Sequence, residues 1–161
     1  MAASQMAPPS RAMLDTNVFL SATDQGRAEH SQAVVILNEW AGRGTTLYAS
    51  GQIMREYLAV ATRPADKNGL GLKQPDALAN VRALRTRTVL LPEDANVADR
   101  LLNLLDEIPC GGKQVHDANV VATMLVHGID VLITINVADF SRFAHHITLI
   151  PLPSASSGTD G

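Results

Sequence analysis

A single cysteine, Cys110, in 161 residues excludes an internal disulfide and any metal site built from several thiolates, and it fits a reducing compartment. Aromatic residues are scarce too, at 4% of the chain, so Leu, Val, Ile and Ala must fill the core, as helices packed on a sheet require. Cations are outnumbered: 13 Lys and Arg face 16 Asp and Glu, and a net charge of −3 excludes broad, sequence-independent attraction to nucleic acid through a basic surface, though not a local basic patch. No apolar run reaches the roughly 18 residues of a membrane-spanning helix, and "MAASQMAPPSRA" lacks the apolar core of a secretory signal. A soluble protein of the cytoplasm, with no membrane partner, is expected.

What is present, 46% hydrophobic and 18% charged residues, suits one globular domain. Small, polar, Pro-containing ends at 1–12 and 153–161 read as disordered tails, leaving a domain over 13–152. Within it five short aliphatic or β-branched runs, at 12–15, 45–50, 87–92, 130–135 and 147–152, alternate with stretches of helical period at 29–43, 51–62, 75–85, 93–107 and 114–127. Pro75 suits a first helical position, Gly44 a helix end and Gly128 a C-cap. The alternation predicts an α/β fold, a three-layer α/β/α sandwich around a mostly parallel five-stranded sheet, with ligands bound beyond the carboxyl ends of the strands.

Polar residues interrupt the chain at that edge. "MLDTNVFL" breaks an apolar run with Asp15, Thr16 and Asn17, which reads equally as a turn or helix cap. Glu56 borders the apolar stripe of the 51–62 helix, and Asp117 lies in a first helical turn, where the helix dipole favours an acid whatever its role. "LITINVADF" ends a strand with Thr134, Asn136 and Asp139. Each acid alone reads as capping or solvated. The topology, however, sends Asp15, Glu56, Asp117 and the 136–139 loop to one edge, and carboxylates sharing a pocket repel unless a divalent cation neutralises them. Hard oxygen donors without Cys or paired His select Mg²⁺, with Mn²⁺ as substitute, over Zn²⁺. His116 and the His145-His146 pair form no ligand pattern along the chain. Such an ion suits phosphodiester hydrolysis, and Arg55, Arg63, Lys113 and Arg142 flank the acids as candidate RNA-phosphate contacts, each equally readable as a solvated charge.

Taken together, "MLDTNVFL", "YASGQIMREYLAVATRP", "VHDANVVATMLVHGIDVLITINVADF" and "ITLIPL" resemble the PIN domain, in particular the VapC-type ribonuclease toxins of bacterial toxin–antitoxin modules, over residues 13–152. The resemblance implies a Mg²⁺- or Mn²⁺-dependent endoribonuclease, a homodimer, and a cognate antitoxin that covers the active site. It places Asp15, Glu56 and Asp117 in the acidic metal site, with Asn17 and Thr134 in support. The departure is Asn136, where many members carry Asp; here Asp139, three residues later, is the acid, and either side chain can complete the site. Two rivals share parts of the pattern. A catalytically weak PIN-like module that binds RNA or protein is suggested by Asn136. A phospho-receiver domain would need adjacent acids at the first strand and a lysine after the last, and has neither.

Overall fold

The computed structural model describes residues 7–152. Five strands, β1 (Arg11–Leu14), β2 (Thr46–Ser50), β3 (Val89–Leu91), β4 (Val131–Thr134) and β5 (Thr148–Pro151), form one sheet in the order β3-β2-β1-β4-β5, with every pair parallel. The crossovers carry α1 (Thr16–Thr23) and α2 (His30–Glu39), then α3 (Gly51–Thr62) and α4 (Gln74–Arg85), then α5 (Ala95–Glu107) and α6 (Gln114–Val126), and last α7 (Val137–Phe140). The chain builds outward from β1 through β2 to β3, then returns to β4 on the other side of β1. With right-handed crossovers, this reversal puts α1 to α4 and α5 to α7 on opposite faces. The expected α/β sandwich is the observed one.

The strands lie within the expected runs apart from β1, which begins earlier and stops one residue sooner. Arg11 and Ala12 already pair with Thr46 and Leu47, and the Thr45 hydroxyl donates to the Pro9 carbonyl at 2.6 Å, so residues ahead of Met13 take part in the sheet. Residues 1–6 and 153–161 of the expected tails lie outside the described residues. The 29–43 helix is also shorter than expected: α2 stops at Glu39, a 3-10 turn follows over Ala41–Arg43, and Gly44 closes it at φ 94°. Pro75 is the second residue of α4, one place later than expected, and Gly128, at φ 69°, follows α6 in the left-handed conformation that ends helices.

Two helices had no periodic signal. In α1, Thr16, Val18, Phe19, Leu20 and Ser21 are all buried, so no polar face marks a period of 3.6. α7 is a single turn. Both sit at the carboxyl edge of the sheet, which is why they matter to the site. The core is aliphatic, as the composition requires, with Met13, Leu14, Leu132 and Ile133 of the two central strands fully buried. Among the described residues no helix is long and apolar enough to cross a membrane.

Candidate active site

Where β1 ends, Asp15 divides its carboxylate between two donors. Oδ1 accepts the Thr16 N–H at 2.8 Å, capping α1, and Oδ2 accepts the Thr134 hydroxyl at 2.8 Å across the β1–β4 junction. The capping reading of this acid therefore holds, and the second bond ties it to the end of β4. Thr134 is itself buried and accepts the Asn136 N–H at 2.9 Å. Asp15 is 6% exposed, and burial pushes its carboxyl up to about 6 despite the two hydrogen bonds, with the charges of Glu56 and Asp139 adding to the rise.

Glu56 reaches the same place from α3, beside the buried Ile53 and Tyr57. Both its oxygens are tethered: Oε2 accepts the Thr16 hydroxyl at 2.7 Å and Oε1 accepts Gln52 Nε2 at 2.8 Å. Gln52 is buried and extends the tether. Its Nε2 also donates to the His116 carbonyl at 2.8 Å, its Oε1 accepts Asn119 Nδ2 at 2.6 Å, and Asn119 donates in turn to Glu93 at 2.8 Å. Glu93 closes the loop by accepting the Gln52 N–H at 2.8 Å. Thr16, Gln52, Glu93 and Asn119 are the residues that sequence reasoning missed; the one local signal was the four-residue spacing of Gln52 and Glu56 on a single helix.

Asp117, in the first turn of α6, is half-buried. Its carboxyl is pushed up to about 6, first by burial, then by Asp15, Asp139 and Glu56, with Arg142 opposing. Asp139 projects from α7. Asn136 caps that helix by position, but its side chain makes no capping hydrogen bond. A cleft of about 470 Å³ takes in Asp15, Asn17, Glu56, Asp117, Asn136 and Asp139, together with Arg63, Lys113 and His116. The flanking cations thus divide. Arg63 and Lys113 line the cleft, and the loop after Arg63 folds back so closely that a Cβ at Gly69 would collide with the Arg63 carbonyl. Arg55 is exposed and does not line it, since it sits one residue before Glu56 and so points about 100° away around α3. Arg142 is outside the lining yet near enough to act on Asp117. Another hollow, of about 200 Å³ between α1, α2 and α4, has no acid in its wall.

Four carboxylates line one cleft, two of them driven towards the protonated form, and an oxygen donor set of this kind fits Mg²⁺ or Mn²⁺. The same crowding sets a pH dependence for the metal-free protein. Folded Asp15 and Asp117 take up protons near pH 6, whereas unfolded they do so near 3.8. Between those values the folded state binds more protons, so these groups destabilise most above about pH 7 and stability rises as the pH falls towards about 4. The thermal midpoint in chelator is expected to climb from pH 7.5 to pH 5, and to climb less in Asp117→Asn; a flat or falling profile would show that these carboxyls are not raised on folding.

The family described as PIN domain matches residues 12–145. Ribonuclease VapC24 of Mycobacterium tuberculosis is 28% identical over 147 residues, covering 88% of this chain and 97% of the relative. Among solved structures, VapBC2 from Rickettsia felis, bound to a DNA fragment from its promoter, superposes with a TM-score of 0.66 at 16% identity, covering 89% of this chain and 99% of its own. A toxin–antitoxin complex from Klebsiella pneumoniae gives 0.61 at 20% identity, with the same coverage of 89% and 99%. These two share the fold.

Proposed function

Because this chain belongs to the PIN domain family, we propose that it is a divalent-metal-dependent endoribonuclease, the toxin of a VapBC-type toxin–antitoxin pair. The observation that carries the proposal is the convergence of Asp15, Glu56, Asp117 and Asp139 in one cleft at the reversal point of a parallel sheet, where such folds bind ligands. The similarity to a ribonuclease supports RNA as the substrate, and the fold shared with a toxin–antitoxin complex supports an antitoxin chain as partner. Homodimerisation and a cytoplasmic location belong to the same proposal, on the strength of the family.

Asp15, Glu56 and Asp117 would hold Mg²⁺ or Mn²⁺, with Asp139 or Asn136 completing the set. Bound there, the ion supplies an acidified water and a Lewis acid for the scissile phosphodiester. The chain's own residues do the rest. Thr134 and Thr16 fix the rotamers of Asp15 and Glu56 through the hydrogen bonds described above, so that the oxygens are in place before the ion arrives. Arg63 and Lys113, on the cleft wall, offset the negative charge of incoming phosphates, which lets an acidic protein receive an anionic substrate. Asp139 in the cleft favours an active enzyme over the weak binding module that Asn136 alone suggests.

The test is cleavage of a structured RNA by the full chain in chelator, Mg²⁺ or Mn²⁺. Cleavage is expected only with the ions. Chelator-insensitive cleavage, or tight RNA binding without cleavage under any of the three conditions, would overturn the assignment, the latter in favour of the binding module.

A further inference from the structure

Read along the chain, His145 and His146 form no ligand pattern; the fold supplies a third donor from 38 residues upstream. Glu107, the last residue of α5, places Oε1 3.0 Å from His145 Nε2 and 2.8 Å from His146 Nε2. One potential ligand atom from each residue lies within 4.8 Å of the other two. Two imidazole nitrogens and a carboxylate oxygen are a donor set that zinc uses, with a fourth position left to water. In a tetrahedral zinc site with bonds of 2.0–2.2 Å, ligand atoms stand about 3.3 Å apart, so each imidazole nitrogen needs to move from the Glu107 oxygen by only a few tenths of an ångström.

The backbone holds the two histidines ready. The N–H groups of His146 and Ile147 both donate to the Phe143 carbonyl, at 2.9 and 3.2 Å, and Phe143 is fully buried. The Ile108 N–H donates to the Leu104 carbonyl at 2.8 Å and closes α5 beside Glu107. The side chains stay open to solvent, 59% for His145, 19% for His146 and 46% for Glu107, so an ion can enter without unfolding anything. None of the three lines the carboxylate cleft. The chemistry differs as well, since imidazole nitrogens favour borderline ions over Mg²⁺.

We propose that Glu107, His145 and His146 form a second metal site, selective for Zn²⁺-class ions, that clips the end of α5 to the segment entering β5. Zinc binding to the folded chain raises its stability by mass action. It leaves the Mg²⁺ chemistry of the cleft untouched.

The experiment is competition of the untagged full chain against a zinc-binding dye in excess Mg²⁺, paired with thermal midpoints. One Zn²⁺ per chain is expected, with an upward midpoint shift. Affinity is expected to fall at least roughly 10-fold in His145→Gln, a solvent-open substitution that leaves folding intact, and in His146→Gln, and to be unchanged in Asp117→Asn. Absence of zinc binding in the parent chain, binding undiminished in both histidine variants, or binding lost in Asp117→Asn would each overturn the proposal; the last would place the zinc in the acidic cleft.

Discussion

Asp15→Asn is expected to melt higher than the parent chain in chelator while cutting RNA more than about 100-fold more slowly, a loss beyond the usual effect of changing a group that only supports a metal ligand. The carboxyl of Asp15 rises from 3.8 to about 6 on folding, so its burial as an anion at pH 7.5 costs at most about 3 kcal/mol. Asn removes that charge and keeps the cap, because its carbonyl oxygen accepts the Thr16 N–H as the carboxylate does. The geometry at Thr134 is less well replaced, since an amide nitrogen cannot accept its hydroxyl proton. A net gain of about 1–2 kcal/mol, or roughly 2–8 °C in the midpoint, is the result. Mn²⁺ should stabilise the parent and fail to stabilise the variant. A variant that melts lower and still responds to Mn²⁺ would show that Asp15 is only a cap.

Gln52→Leu is the second large effect, and it separates positioning from ligation. Leu fills similar space but leaves the His116 carbonyl without its donor, Asn119 with one acceptor fewer, and Glu56 held by Thr16 alone. Each lost hydrogen bond of this kind, at a group that keeps another partner, costs about 0.5–1.5 kcal/mol, so a clear drop in the midpoint is expected from the three together. Cleavage should fall roughly 10- to 100-fold, chiefly as a rise in the Mn²⁺ concentration needed for half-maximal rate, with the rate at saturating Mn²⁺ largely recovered. An unchanged metal requirement with a lower ceiling would mean that Gln52 acts on substrate instead.

Much of this could be read from the chain because local patterning and tertiary position coincide. The helices over 51–62, 75–85 and 93–107 each have one apolar face, and that over 114–127, buried nearly all round, has its stop at Gly128, so all four emerge within about two residues of expectation. Asp15, Glu56, Asp117 and Asp139 could be gathered because topology alone sends strand ends and helix starts to one edge. The Gln52–Asn119–Glu93 relay could not, since its partners are 26 to 67 residues apart and hydrogen-bond geometry leaves no periodic trace. Arg55 and Arg63 show the same limit from the other side. Both are basic residues near Glu56, and only the angle around α3 and the path of the 63–72 loop decide which one reaches the cleft.

The cleft draws its acids from both ends of the domain, with Asp15 and Glu56 in the first half of the chain and Asp117 and Asp139 close to its finish. A polypeptide emerging from the ribosome therefore carries its earliest carboxylates long before their counterparts exist, and β4 must insert beside β1 before they meet. The carboxylates of the proposed nuclease site therefore stay apart through most of the chain's own synthesis and come together only once β4 pairs with β1.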